Sequence, residues 1–359
     1  MFVVLTLIIG LAALNTGANL LYLILSMMLC LLLLSGFVSS LTLMGIRIKR
    51  VAPKQAIANQ AFQARMEIIN KKRLFSSYSL TFSDISTDQK IYGSGYAFHI
   101  PRRKTQSVMY KMLFPVRGLY QLERIRIGSR FPFGFFERAL DFQEPHHIIV
   151  YPEMVDVHSL VRDRSIESGD VESARKGIGT SLYGLREYTP EDSARWIHWK
   201  VSARARKIMV REFEKEEKKR VTIILNNYVA DRDTYADYLS NNFEKSIILT
   251  ASFARYLLVR DYNVQILTAS GKIPFGNSVT HLHRILRALA LLQLTGEQPR
   301  IPLTITQGEA DSAILYMHFT NDSLPTAMYH NAEIIDARSI DLKNLTHMAH
   351  IRNSNPEQD

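Results

Sequence analysis

LLYLILSMMLCLLLLSGFVSSLTLM, residues 20–44, is a run of 25 mostly apolar residues without a charged side chain. As an α-helix it would be roughly 37 Å long, whereas the hydrocarbon core of a bilayer is roughly 30 Å thick. A core helix of a soluble protein usually shows a polar stripe, and none is evident here. The stretch therefore predicts a helix that crosses a membrane.

The residues before this stretch are also apolar, and the first 46 residues contain no Asp, Glu, Lys or Arg. Residues 1–14 would form a helix of only about 21 Å, and the turn-forming residues 15–19 separate it from the longer run. Two interpretations fit: a helical hairpin, or the apolar region of a signal sequence. No basic residues precede the apolar run, which favours the hairpin. We predict a transmembrane hairpin over residues 1–46.

The orientation of this hairpin follows from the basic residues beside it. Arg47, Lys49, Arg50 and Lys54 come immediately after it, and the loop at residues 15–19 carries no charge. Lys and Arg close to a membrane span are retained on the cytoplasmic side. We expect the remaining chain to face the cytoplasm. Its lack of cysteine outside the apolar run, where Cys30 lies, fits a reducing compartment.

Residues 47–158 are predicted to form an antiparallel β-sandwich. Residues 47–130 hold 17 Lys or Arg against 4 Asp or Glu, whereas residues 131–359 hold 27 against 30. Short stretches alternate apolar and polar side chains, which is typical of strands. Two interpretations of the basic charge stay open: contact with anionic lipid headgroups, or a solvated surface. The alternating apolar residues are Met66, Ile68, Tyr78, Leu80, Phe82, Ile125 and Ile127.

The rest of the chain changes character twice. Residues 159–183 are polar and rich in Gly and Ser, which predicts a linker. Residues 221–345 alternate apolar strands with helices, which predicts an α/β domain with a mainly parallel sheet. A polar tail follows at residues 346–359. The expected strands are 221–225, 264–268, 313–317 and 333–335, and the expected helices are 243–259 and 279–294.

Between linker and α/β domain lies a signature segment, residues 184–220, which holds both tryptophans of the chain and begins GLREYTPEDSARWIHWKVSARARKIMVREFE. Thr189 and Pro190 are good residues for a helix start, with an acid three residues after the threonine. A helix from Pro190 to about Ala203 would align tryptophan and cationic residues along one face. Its arginines either bind phosphate or carboxylate groups or pair with acids of the same segment.

Motifs for metal or nucleophilic chemistry are missing from the sequence. His281 and His283 are two residues apart on a predicted helix and point in different directions, so they make a poor chelate. The pairs His146 with His147 and His347 with His350 have no suitably spaced acids or thiolates. Nucleophile elbows, phosphate-binding loops and HExxH are absent. We therefore predict no metal, no cofactor and no catalytic residue, and we expect no nucleic-acid binding.

The signature segment resembles that of a bacterial membrane-associated family, known as domain of unknown function fifty-eight. The resemblance rests on LREY at residues 185–188, WK at 199–200, AR at 203–204 and REF at 211–213, together with Asp192, Arg195 and Ile197. NLLY at 19–22 and LLSG at 33–36 resemble the membrane hairpin of that family. RGLY at 117–120 and FPFGFF at 131–136 resemble its β-domain. One departure is Glu191, where relatives usually carry Gly.

This resemblance implies a protein of the bacterial inner membrane, in which a β-sandwich is followed by a von Willebrand A-like, Rossmann-type α/β domain. It also implies a partnership with a MoxR-type AAA+ ATPase that assembles or matures other complexes. Many von Willebrand A domains hold Mg²⁺ through Asp-x-Ser-x-Ser after the first strand. Here that position reads NNYVA, residues 226–230, without the acid or the hydroxyls, so the expectation of no metal stands.

The leading hypothesis is a membrane-tethered, non-enzymatic interaction protein that presents a docking surface to the ATPase or its client. Two alternatives remain. One is an enzyme acting on a cell-envelope precursor through Asp192, His198 and Lys200. The other is a protein that binds anionic lipid headgroups through residues 47–130. The residues that we expect to make the docking contacts are Arg186, Tyr188, Asp192, Arg195, Trp199, Lys200 and Arg204.

Overall fold

The computed structural model describes residues 1–162, 176–189, 192–214, 220–229, 236–296, 312–320, 332–342 and 345. The chain divides into two compact units, Met1–Glu153 with Leu289–Leu291 and Met154–Ala288 with Leu292–Asp359. The predicted tail, most of the predicted linker, Glu191, His347 and His350 lie outside the described residues.

The first unit begins with the expected pair of apolar helices, α1 (Phe2–Thr16) and α2 (Asn19–Leu43). Gly17 ends α1 in the left-handed conformation, with φ of 65°, and its N–H donates to the Ala13 carbonyl. The helices pack closely, since a Cβ on Gly10 would lie 3.5 Å from a methyl group of Leu25. By length and composition α2 is able to cross a membrane, whereas α1 is shorter.

Eight strands follow and form one curled, mixed sheet in the order β1-β3-β6-β5-β4-β7-β8-β2. All neighbours are antiparallel except β2 and β8, which run parallel. The strands are β1 (Ile46–Val51), β2 (Gln55–Ile57), β3 (Phe62–Asn70), β4 (Ser77–Ser86), β5 (Ile91–Ile100), β6 (Thr105–Met112), β7 (Gly118–Ser129) and β8 (Arg138–Tyr151).

The expected antiparallel sandwich of two separate sheets is therefore wrong in detail. The half formed by β1, β3 and β6 is joined to the other half through a single residue pair, Gly93 on β5 and Met112 on β6. The sheet curls at this narrow junction, so that its two halves cover one hydrophobic core. Alternation along each strand is the same for one curled sheet and for two stacked sheets, so the sequence pattern did not distinguish them.

The expected inward-facing residues fill this core, with one exception. Met66, Ile68, Leu80, Phe82, Ile125 and Ile127 are at most 1% exposed. Tyr78 instead stacks outside the core, with ring centroids 4.9 Å from His99 and 5.1 Å from Phe131. The neighbouring Ser79 has a φ of 52°, which interrupts the regular alternation at this end of β4.

Two glycines of β5 allow the sheet to curl tightly. A Cβ on Gly95 would lie 2.3 Å from Cζ of Phe82, the residue opposite on β4. A Cβ on Gly93 would lie 2.8 Å from Cγ of Met112 at the junction. Both distances are far below van der Waals contact, so these positions exclude any side chain unless the core rearranges.

A buried ionic network crosses the core and joins the two halves of the sheet. Arg50 on β1 donates through Nε and Nη2 to Asp84 Oδ1 on β4, at 2.9 and 2.6 Å. A further Arg50 N–H reaches the Glu144 carbonyl on β8, and the Tyr110 hydroxyl on β6 donates to the other carboxylate oxygen of Asp84. Burial and the adjacent Asp84 raise the pKa of Tyr110, which keeps its proton on this bond.

The last turns of α2 dock onto the sheet of the first unit. Ser35, Ser39 and Thr42, at i, i+4 and i+7, are buried, and the Ser39 hydroxyl donates to the Ser129 carbonyl at 3.3 Å. Lys72 caps the helix end, since its ammonium group donates to the Leu41 and Thr42 carbonyls at 2.7 and 2.8 Å. The helix thus has a short polar stripe, which is not evident from the sequence and which faces the sheet.

The second unit contains the expected α/β arrangement. Its five-stranded sheet has the order β13-β12-β11-β14-β15, and only β13 is antiparallel to its neighbour. Apart from β13, its strands and helices match the expected elements. They are β11 (Arg220–Leu225), α5 (Ala236–Val259), β12 (Asn263–Thr268), β13 (Gly271–Gly276), α6 (Val279–Leu291), β14 (Ala313–His318) and β15 (Ala332–Asp336).

The described parts of the predicted linker are ordered. Helix α3 (His158–Arg162) begins before residue 159, and strand β9 starts within the linker at Lys176 and continues to Glu187. β9 pairs with β10 (Met209–Glu214), which lies in the signature segment. The small and polar residues of this stretch gain strand structure from pairing with a distant partner, which local composition does not reveal.

Replacing one member of the buried network should destabilise the first unit strongly. We expect Arg50→Met to cost about 3–5 kcal/mol, because it leaves the Asp84 carboxylate buried without its cation. Hydrogen exchange of β1, β4 and β6 amides in the detergent-solubilised chain measures this loss. Arg126→Met is the matched control, since its partner Asp141 lies at the surface. Equal protection in the Arg50 and Arg126 variants would contradict the assignment.

Gly95→Ala should also destabilise the sheet, by about 1–3 kcal/mol, because the added methyl group overlaps the Phe82 ring. The same exchange measurement on β4 and β5 reports it. In a Phe82→Leu background the cost should fall, since the ring is gone. Gly36→Ala serves as the control because no atom lies within 4 Å of its added Cβ. An unchanged cost in the Phe82→Leu background would disprove the overlap.

Candidate functional site

Residues 188–208 of the signature segment lie between β9 and β10 and are closed by backbone hydrogen bonds. The Tyr188 N–H donates to the Ile208 carbonyl at 2.9 Å, and the His198 N–H donates to the Met209 carbonyl at 2.8 Å. The Ser202 hydroxyl donates to the His198 carbonyl at 3.1 Å and accepts from the Met209 N–H at 2.8 Å. These bonds hold residues 188–208 as a closed insertion.

The helix expected from Pro190 to Ala203 is not formed. The chain makes a short 3-10 turn at Ala194–Trp196, then a β-bridge from Ile197 to Val210, and only then helix α4 (Trp199–Ala205). The bridge needs extended backbone at Ile197, which is incompatible with a continuous helix. The two tryptophans therefore do not share one helix face, and the expected alignment of Trp196 with Trp199 is wrong.

Arg186 and Asp192 form a bidentate clamp at the base of the insertion. Arg186 Nη1 donates to Asp192 Oδ2 at 2.6 Å, and Nη2 donates to Oδ1. The backbone N–H and the hydroxyl of Thr189 also donate to Asp192 Oδ2, both at 2.8 Å. The carboxylate that was expected to help start a helix is thus used to close a turn, and its side chain is 15% exposed.

The environment of Asp192 favours its ionised form. The guanidinium of Arg186, followed by the two donors of Thr189, holds the pKa of the Asp192 carboxyl well below its usual range. Asp192 is therefore a permanent anion near neutral pH, and it is unsuited to act as a general acid or base there.

Four of the seven expected contact residues are exposed on the outside of this insertion. Trp199 is 69% exposed, and Arg195, Lys200 and Arg204 are exposed cations. Lys200 and Arg204 are four residues apart on α4, so they occupy one side of the helix. None of the three cations forms an ion pair within the described part of the chain. We call Arg195, Trp199, Lys200 and Arg204 the exposed cluster.

The remaining three expected residues serve the fold of the segment. Arg186 and Asp192 form the clamp, and the backbone of Tyr188 begins the closure. Arg206, which the sequence analysis did not select, is exposed at the end of α4 with a φ of 52°. It lies beyond the expected helix, which was to end at about Ala203, so that helix gave no indication of its exposure. The side chain of Arg211 lies outside the described residues.

The arrangement required for the enzyme hypothesis is not seen among the described residues. Asp192 is engaged by Arg186 and Thr189, and Lys200 is exposed on α4. No hydrogen bond joins Asp192, His198 and Lys200 in this part of the chain. His198 contributes backbone groups, donating to the Met209 carbonyl and accepting from the Ser202 hydroxyl.

A second place of interest is the carboxyl end of the parallel strands β11 and β14. A cavity of about 110 Å³ opens there, lined by Asn226, Tyr228 and residues 316–320. In open α/β sheets, ligands bind outside the carboxyl ends of the strands, at the point where the strand order reverses. Here that point is β11, which lies between β12 and β14. The cavity is smaller than the roughly 300–1,000 Å³ of ordinary ligand pockets.

The two asparagines after β11 have structural contacts. Asn227 is fully buried and donates to the Ser270 hydroxyl and the Gln293 carbonyl, at 2.8 and 2.7 Å. The Asn226 side chain accepts from the Tyr228 N–H at 3.1 Å. These amides hold the loops around the sheet edge. Within the described residues no group of three His, Cys, Asp or Glu could hold a metal ion.

The histidines of α6 occupy different environments. His281 is 6% exposed, and its Nε2 lies 2.8 Å from the Val264 carbonyl, under Gly276. His283 is exposed. The separation expected from their spacing is confirmed.

Comparison with known proteins agrees with the family resemblance of the signature segment. The family model described as "Protein of unknown function DUF58" matches residues 184–314. The chain is 23% identical over 203 residues to the uncharacterized protein YeaD of Bacillus subtilis (strain 168). This alignment covers 55% of the chain and 48% of YeaD, so the chain spans about half the length of the curated relative that it matches.

Among solved structures, the chain is similar to the CARDB domain of a Pyrococcus furiosus protein, with 10% identity and a TM-score of 0.22. The match covers 29% of this chain and 91% of that domain. A likeness at this level does not assign a fold.

Loss of the clamp should loosen the insertion in a pH-dependent manner. In Asp192→Asn, we expect faster tryptic cleavage within residues 188–208 at neutral pH, because Arg186 loses its anion. The pKa of Asp192 is lower in the folded chain than in the unfolded chain, where it is about 3.9. Its stabilisation is therefore complete above that pH and is lost as the pH falls further.

The difference between wild type and Asp192→Asn should accordingly shrink when cleavage is followed with pepsin at a pH of about 2. Glu187→Gln is the control, since its pair with Lys207 is exposed on both sides. If Glu187→Gln opened the segment as much as Asp192→Asn, the clamp would have no special role.

Proposed function

We propose that this chain is a membrane-anchored, non-enzymatic interaction protein, which presents a docking surface on the cytoplasmic side of the bacterial inner membrane. The observation that carries the proposal is the exposed cluster: Trp199, Arg195, Lys200 and Arg204 are all exposed on one insertion that backbone hydrogen bonds close. Trp and Arg are the residue types that most often dominate the energy of protein interfaces.

The chemistry of the exposed cluster defines the kind of partner that it fits. Three cations without ion pairs in the described part of the chain favour an acidic surface on the partner. Trp199, 69% exposed, offers a large apolar area that a partner pocket could bury. The clamp and the backbone bonds fix the insertion beforehand, so that little ordering is required on binding.

Membrane anchoring is supported by the surface of the apolar helices. Most of the large apolar side chains of α1 and α2 are exposed, among them Leu11, Leu14, Leu23 and Leu33 at 63–76%. Exposure of such an apolar surface to water is unfavourable, whereas its exposure to lipid is not. The cytoplasmic orientation rests on Arg47, Lys49 and Lys54, since the fourth nearby cation, Arg50, is buried in the network.

We further propose that the α/β sheet of the second unit is von Willebrand A-like and that the partner is a MoxR-type AAA+ ATPase or its client. Both proposals rest on the resemblance of the signature segment, which the family match over residues 184–314 includes together with strands β11, β12 and β13. In this role the chain positions its partner at the membrane and forms or breaks no covalent bond.

The proposal is tested by co-purification from membranes. Arg195→Ala with Trp199→Ala should reduce recovery of an associated ATPase or client at least about tenfold, as expected when hot-spot residues are removed. Val279→Ala with Arg284→Ala is the matched control, because it removes an exposed apolar residue and an exposed cation from α6. Undiminished recovery with a folded Arg195 and Trp199 double variant would refute the docking surface.

A further inference from the structure

The loops at one end of the first unit's sheet surround the point where α2 joins it. Residues 71–76 connect β3 to β4, and Lys72 in this loop caps α2. Residues 101–104 connect β5 to β6, and the Asn70 N–H donates to the Lys104 carbonyl at 3.0 Å. Residues 130–137 connect β7 to β8, and Phe131 stacks on Tyr78 at the start of β4. We call these three loops the rim.

The rim combines exposed apolar side chains with an excess of positive charge. Leu74, Phe75, Phe133 and Phe136 are 74, 54, 49 and 40% exposed. The three loops with Arg138 contain eight Lys or Arg and one acid, Glu137, which pairs with Arg130. The loops at the opposite end, residues 52–54, 58–61, 87–90 and 113–117, contain three Lys or Arg and one acid.

The longest loop of the rim reaches back along α2. A groove between them is lined by Leu32, Leu33 and Phe37 of α2 and by Phe136 and Arg138. The neighbouring Phe135 stacks on Phe2 at the start of α1, with 4.1 Å between ring centroids. Residues 33–36 lie seven to ten positions before the end of α2 at Leu43, which corresponds to about 10–15 Å along the helix axis.

We propose that the rim is a lipid-binding surface that enters the anionic leaflet, with Phe133, Phe135 and Phe136 below the headgroups. The exposed cations of the other two loops, which exclude the helix-capping Lys72, would contact lipid phosphates. This inference rests on the proposed membrane location of α1 and α2. It goes beyond that location, because it makes part of the β-sheet domain a third element embedded in the bilayer.

The depth of the loop carries the assignment. At the level of Leu33, α2 is apolar and exposed on its free side, so a bilayer that surrounds this turn also surrounds the loop packed beside it. Arg130 and Arg138 flank the aromatic residues at either end. Apolar side chains such as Phe and Leu beside Lys or Arg are the combination by which protein segments insert at the boundary between acyl chains and headgroups. The excess of cations on the rim selects an anionic surface.

Depth-dependent fluorescence quenching tests this placement in the full chain reconstituted into vesicles of phosphatidylcholine and phosphatidylglycerol. In a background with Trp196→Phe and Trp199→Phe, single tryptophans are introduced by Leu23→Trp in α2, Phe133→Trp in the rim and Ile91→Trp at the opposite end of the sheet. Ile91 is the control because it is 60% exposed on the side away from α2. Lipids brominated along the acyl chain act as quenchers.

We expect strong quenching from Leu23→Trp and Phe133→Trp and none from Ile91→Trp. If Leu23→Trp is quenched and Phe133→Trp is not, the membrane anchor stands and the rim proposal is refuted. Quenching of Ile91→Trp as strong as that of Phe133→Trp would also refute the rim proposal. If Leu23→Trp were unquenched, the anchor itself would fail and the rim with it. Quenching of Phe133→Trp only by a fluorescently tagged second copy of the chain would show a protein contact instead of lipid.

The charge preference has a separate readout in the same vesicles. For Phe75→Trp, brominated phosphatidylglycerol should quench more than brominated phosphatidylcholine at equal content. Arg102→Gln with Lys104→Gln should reduce this ratio about fivefold or more at low salt. Lys54→Gln with Lys111→Gln removes two exposed cations at the opposite end and should leave it unchanged. An equal ratio in both double variants would refute the anionic assignment.

Discussion

The buried ionic network of Arg50, Asp84, Tyr110 and the Glu144 carbonyl is the constraint on which the first unit depends. Its members come from β1, β4, β6 and β8, two from each side of the narrow junction at Gly93 and Met112. Strand pairing alone leaves the two halves of the sheet almost separate. A buried charge with several fixed partners tolerates only one relative arrangement of those partners, so the network sets how the sheet closes on itself.

The local patterns of the sequence predicted most elements of the fold and little of how they assemble. Alternation placed Met66, Leu80 and Ile125 in the core, because the side-chain period of a strand does not depend on its neighbours. The sequence gives no local sign that Arg50 is buried, since its anion lies 34 residues later in the chain. The polar stripe of α2 was missed for the same reason, as its hydroxyl residues face strands formed much later.

The signature segment also shows that local sequence patterns do not predict tertiary contacts. Thr189 and Asp192 have the spacing of a helix start, but Arg186 takes the carboxylate and Val210 bridges to Ile197. Tertiary contacts therefore displaced the helix to Trp199 and changed which residues face outward. The residue types of the exposed cluster were recognisable from the sequence, whereas the use of Arg186 and Asp192 in the clamp could be seen only in the structure.

The rigid joint between α2 and the sheet has a mechanical consequence. Lys72 holds the helix end, and Ser35, Ser39 and Thr42 fix its rotation against the strands. At roughly 37 Å, a spanning α2 is longer than a typical hydrocarbon core, and tilting accommodates the difference by an angle that increases as the bilayer thins. Because these contacts fix the helix against the strands, the sheet would lean through the same angle, and a change in bilayer thickness would change the inclination of the first unit.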